Sequence, residues 1–165
     1  MITVLKQWDN CFSNRSTKFV FVINFFIFVV NNCFAEKYIN ESSSSVKSNH
    51  IVISENLKST TVSIENRWTD SLGEYGTGVC NGHILTEKNK ISLKLYCEQL
   101  ASNGDKFWTQ LIREKDMQAG VGKIKFIRGT GKYKKFEGLV CPYAVNYMNE
   151  KINFFKQVCD LPENE

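Results

Sequence analysis

Between Lys123 and Lys135 the sequence carries six basic side chains and no acidic one: Lys123, Lys125, Arg128, Lys132, Lys134 and Lys135, interleaved with Phe126 and Tyr133. Such a cluster can hold an anionic ligand or an acidic surface, and Lys132, Lys134 and Lys135 are the candidate anion-binding residues. The segment also contains Gly129-Thr130-Gly131-Lys132, but it is not a nucleotide phosphate loop. That loop needs Gly five positions before the Gly-Lys pair and Ser or Thr after the Lys, where this chain has Phe126 and Tyr133. Lys123 and Lys125 alternate with Ile124 and Phe126, so part of the charge is the wet face of a strand.

Other reactive residue types are sparse. No carboxylate or cysteine stands at ligand spacing from His83, so neither a metal site nor a cofactor is expected, and His83 should face solvent near Lys94. No Ser, Cys or Asp lies in a recognisable nucleophile motif, which favours binding over catalysis. Trp68, Trp108 and Phe126, with Tyr96 and Phe107, fall on predicted strands. They could line a pocket for a small apolar or amphipathic ligand, or simply fill a core.

The elements that must position these side chains are short and β-like. Runs rich in β-branched and aromatic residues cover Ile51 to Ser54, Thr60 to Trp68, Gly76 to Leu85, Ile91 to Leu100, Lys106 to Arg113, Gly122 to Ile127, Leu139 to Tyr147 and Ile152 to Cys159. Turn-forming clusters such as Asp70-Ser71-Leu72-Gly73 and Ser102-Asn103-Gly104-Asp105 separate them. About eight strands must hide their edges, and closure does so most completely. The expected fold is therefore all-β, a single antiparallel up-and-down barrel over residues 51–165, with a β-sandwich as the alternative.

One hairpin fixes its own register. A turn at Glu87 to Lys90 sets Thr86 opposite Ile91, Ile84 opposite Leu93, Gly82 opposite Leu95 and Cys80 opposite Cys97. His83 and Asn81 then face Lys94 and Tyr96 on the other side. This predicts a Cys80–Cys97 disulfide. A turn at Asn149 to Lys151 similarly allows Cys141–Cys159, although Pro142 interrupts that ladder.

The stretch from Phe126 to Gly138, a strand ending in Gly129-Thr130-Gly131-Lys132-Tyr133 and followed by Gly138, resembles a signature of the allene oxide cyclase and dirigent barrel group. A fainter likeness reaches back to Gly76-Thr77-Gly78-Val79-Cys80. The resemblance implies a β-barrel. It also implies either an isomerisation in the barrel cavity, as in the cyclases, or guidance of a coupling reaction, as in the dirigent members. It places no catalytic residue on this chain.

The amino terminus addresses compartment. Lys6, Arg15 and Lys18 precede an apolar run from Phe19 to Val30, and Phe34-Ala35 offers a small residue at a cut, so residues 1–35 read as an export signal cleaved after Ala35. The run is too short and interrupted to span a bilayer, so no stable membrane span is expected after cleavage. The 21 basic residues lose three and the 17 acidic residues lose one, leaving a net charge of +2, too small to imply nucleic acid as a partner. Four cysteines remain, consistent with disulfides in a secreted or periplasmic protein. Residues 36–50, with Ser42 to Ser45 and little apolar content, read as a flexible Ser-rich leader. Asn40-Glu41-Ser42 within it is a glycosylation sequon.

Overall fold

The computed structural model describes residues 37–114, 120–149 and 151–161. Its strands are β1 (Lys37–Ser54), β2 (Leu57–Asp70), β3 (Tyr75–Glu87), β4 (Lys90–Ala101), β5 (Lys106–Arg113), β6 (Val121–Gly129), β7 (Val140–Tyr147) and β8 (Ile152–Asp160). They pair antiparallel in chain order, and β8 returns to β1 to close the barrel. The export signal assigned to residues 1–35 lies outside the described residues.

The β3–β4 hairpin shows how the pattern acts. Lys88 and Asn89 both take positive φ, 48° and 64°, which gives the two-residue turn whose twist suits a hairpin. The ladder then places Thr86 against Ile91, Ile84 against Leu93, Gly82 against Leu95 and Cys80 against Cys97. The even residues of β3 and odd residues of β4 face inward, while His83 and Lys94 lie opposite each other, both exposed. Cys80 and Cys97 are disulfide-bonded, and so are Cys141 and Cys159. Two intramolecular disulfides fit an oxidising environment.

Of the flexible leader expected over residues 36–50, the described part, 37–50, lies instead in strand β1. Lys37 to Ser45 pair with β8 on one side, and Asn40 onward pairs with β2 on the other, so the serine run lies within a two-sided ladder. Its low apolar content is tolerated because Asn40, Ser42 and Ser44 point into a partly polar interior. Backbone pairing on both flanks supplies the order that side-chain hydrophobicity did not signal. Asn40, the sequon asparagine, is 7% exposed and faces the barrel interior in the folded chain. Beyond Ser45, β1 leaves β8 and continues as an arm paired to β2, ending in the exposed Ile51, Val52 and Ile53.

One barrel end is plugged. After β6 the chain crosses that end as a short 3-10 helix, Gly131–Phe136, and buries Tyr133 and Phe136 completely. Gly129 permits the crossing: a Cβ there would collide with the Tyr133 carbonyl. Gly138 (φ 85°) turns the chain back, with its N–H donating to the Phe126 carbonyl at 2.9 Å. The plug joins Phe107 to Tyr133 at 4.5 Å between ring centroids, Tyr38 to Phe136 at 4.7 Å and Trp68 to Phe107 at 5.4 Å. Tilted and edge-on pairs of this kind contribute roughly 0.5–1.5 kcal/mol each beyond their burial, so this end is the rigid floor.

Candidate interior binding site

Above the aromatic floor the barrel encloses a cavity of about 80 Å³. Its wall is two-toned. Ile64, Leu95, Leu111, Ile124 and Phe155 provide an apolar surface, and the Cys80–Cys97 disulfide forms part of it. Asn40, Asn66, Gln99, Thr109, Asn153 and Gln157 provide a buried polar belt.

Strand parity explains the belt. Asn66 is in phase with Val62, Ile64 and Trp68, Gln99 with Leu93, Leu95 and Cys97, and Thr109 with Phe107 and Leu111, so each polar side chain occupies a core-facing position. Asn66, Gly78 and Gln99 are also level across three strands. The missing Cβ of Gly78 gives the Gln99 amide its space.

Three oxygen atoms in this belt have no hydrogen-bond partner: Asn66 Oδ1, Gln99 Oε1 and Thr109 Oγ1. Their residues are 9%, 7% and 1% exposed. Leaving such an atom buried and unpaired costs roughly 1–3 kcal/mol, and native structures contain few of them. Three around one cavity mark a place where something else completes the bonding.

Arg113 stands at the other end of the cavity, the mouth. It is four residues along β5 from Thr109 and close to Tyr143, Val145 and Tyr147. Its Nε is buried without a partner. Burial pushes the Tyr143 hydroxyl up to about 12; Tyr147 adds to that effect and Arg113 opposes it. Tyr143 is thus a protonated donor at neutral pH.

The aromatic candidates divide three ways. Trp68 lines the cavity. Phe126 is fully buried in the floor, packed on Tyr38, Phe107 and Phe136. Trp108 belongs to the outer wall, where its Nε1–H donates to Glu98 at 2.9 Å. Adjacent strand residues face opposite ways, so with Phe107 pointing in, Trp108 must point out.

The basic segment is partly committed to structure. Lys132 Nζ is 2.6 Å from Glu74 Oε1, and its backbone N–H donates to Asp105 at 3.3 Å. The Asp105 carboxylate fills the space beside Gly131 that an anion would need. The hydrogen bond from Lys132, then one from Ser102, holds the Glu74 carboxyl below its usual range. Lys134 and Lys135 remain exposed on the 3-10 helix, with Lys135 Nζ 5.6 Å from the Phe136 ring centre. Lys123 and Lys125 are exposed between the buried Ile124 and Phe126.

Among the described residues, no group of three or more His, Cys, Asp or Glu is arranged to hold a metal ion. The residues that sequence reasoning missed are Asn66, Gln99, Thr109 and Arg113. Their signal was present: each is a polar side chain in phase with the apolar face of its strand.

No protein-family model matches the sequence, and comparison with curated proteins and with solved structures gave no significant match.

Proposed function

We propose that this chain is an exported, disulfide-stabilised β-barrel that binds a small amphipathic ligand inside the barrel, in a secreted or periplasmic setting. The observation that carries this reading is the set of three buried, unpaired oxygens facing a cavity whose other walls are apolar. A ligand with one hydrogen-bonding end and an apolar body satisfies both surfaces. The volume sets a limit: about 80 Å³ admits several waters or a slender molecule, well below the ~300 Å³ of a drug-sized pocket. Waters would occupy the belt of the unliganded barrel, and the ligand would displace them.

An allene oxide cyclase or dirigent-like relationship is a proposal supported by the closed barrel and the Phe126 to Gly138 crossing. The cavity favours binding over a cyclase or isomerase reaction, because its titratable lining among the described residues is Arg113, Tyr143 and Tyr147, with no carboxylate or histidine to exchange protons near neutrality. An envelope interaction role, holding an acidic surface through the basic segment, rests on Lys134 and Lys135 now that Lys132 is paired.

A test is an NMR titration of the oxidised protein with a library of small amphipathic molecules and, separately, with heparin. The expected outcome is a library member that shifts the side-chain amides of Asn66 and Gln99. Silence at those amides, with heparin shifting Lys134 and Lys135, would replace this reading with the surface-binding one.

A further inference from the structure

Arg113 is the one charged side chain among the described residues that line the cavity. Among the described residues no ion pair or hydrogen bond engages its guanidinium, and its Nε is buried. Leu93 stands opposite it on β4, so the ladder supplies no counter-charge. Arg113 as a whole is half-buried, so its cost lies in the unpaired Nε–H, and an anion arriving at the mouth completes that bond and gains more than it would in water.

We infer that the cavity takes a monocarboxylate with a neutral hydrogen-bonding group at its far end: the carboxylate meets Arg113 at the mouth, and a hydroxyl or amide reaches Asn66, Gln99 and Thr109. This deepens the interior-binding reading and rests on it. Three features of the site set the ligand's chemistry. The guanidinium presents a planar fork that matches a carboxylate in two parallel hydrogen bonds. A single cation balances a single negative charge, so a phosphate monoester would carry its second charge into the barrel uncompensated. At the inner end the unpaired atoms are an amide oxygen from each of Asn66 and Gln99, the hydroxyl oxygen of Thr109 and the amide nitrogen of Asn40. The two amide oxygens only accept and the Asn40 amide nitrogen only donates, so the inner group must both donate and accept, as a hydroxyl or primary amide does and an ester or ether does not.

Strand geometry gives the length. Thr109 and Arg113 are four residues apart on one face of β5, about 13 Å along the strand at roughly 3.3 Å per residue. Both side chains project inward and shorten the gap, and the cavity of about 80 Å³ limits what lies between them to a chain of about four carbons. Between the two ends Leu95, Leu111, Ile124 and Phe155 provide the apolar sleeve.

The test uses 4-hydroxybutanoate and 1,4-butanediol, alike in length and inner hydroxyl but different in charge. Calorimetric titration of the oxidised wild-type protein should show the acid binding about tenfold or more tightly than the diol, the scale of a hydrogen bond to a charged group. Arg113→Met should bring the acid down to the affinity of the diol and leave the diol unchanged, whereas Arg113→Lys should keep part of the preference. Equal binding of acid and diol by the wild type overturns the carboxylate inference and leaves interior binding standing. Binding of neither overturns both. The wild-type comparison decides the matter even if a variant does not fold.

Discussion

The side-chain amide of Gln99 lies over the bare backbone of Gly78, in the space where a Cβ on that glycine would be. Across the β3–β4 ladder the two residues are directly opposed. A glycine in mid-strand and a buried, unpaired amide each weaken a barrel in isolation. Together they hold a polar group inside an apolar wall.

Gly78→Ala should therefore push the Gln99 amide away from β3 and destabilise the protein by about 1–3 kcal/mol, the usual cost of overfilling a packed interior. Adding Gln99→Ala frees the space, so the double variant should be more stable than Gly78→Ala alone. Urea denaturation of the two single variants and the pair measures the coupling.

The two disulfides close segments of 17 and 18 residues, for which loop-closure entropy gives roughly 3 kcal/mol each. Reduction should lower the melting temperature substantially. Peptide mapping of unreduced protein should recover Cys80 linked to Cys97 and Cys141 linked to Cys159, with no crossed pair.

Acid should weaken the contact between the floor and the β2–β3 loop. Lys132 and Ser102 depress the Glu74 carboxyl below its ordinary value of 4.5. A depressed carboxyl contributes stability that is present above that value and lost as pH falls through the lower folded one. Glu74→Gln should flatten the acid limb of the stability curve below about pH 4.5 and change little at pH 7 beyond a constant offset.

Alkali acts through Tyr143 with the opposite sign. Its hydroxyl titrates near 10.0 when unfolded and at about 12 in the barrel, so the folded state keeps a proton that the unfolded chain loses. That contribution is complete below pH 10 and is lost as pH rises toward 12, at up to about 1.4 kcal/mol per pH unit. Tyr143→Phe should reduce the slope of stability against pH in that window. Tyr133, pushed far up by burial and then by its hydrogen bond to Asp70, adds to the same limb.

Much of the fold was legible because alternation and cysteine spacing agreed: Cys80 and Cys97 fall opposite each other only in the register that also sorts His83 and Lys94 to the outside. β1 was not legible. Its inward residues Asn40, Ser42 and Ser44 are polar, so the run lacks the hydrophobic alternation that marks a strand. The site was legible only in part, since Gln99 and Thr109 stand in phase with the apolar faces of their strands but face a cavity that exists only once the barrel closes. Trp108 misled through its size, although its neighbour Phe107 already determined which way it points.

Thr109→Val tests the central claim most directly, because it removes an unpaired hydroxyl while nearly preserving shape. If the polar belt serves a ligand, it exists at a cost to stability. The variant should then be more stable than wild type by about 1 kcal/mol in urea denaturation, and in the NMR titration it should lose binding of the molecule that shifts Asn66 and Gln99. A variant that is less stable and binds that molecule unchanged would show that Thr109 is satisfied within the barrel and contradict the account.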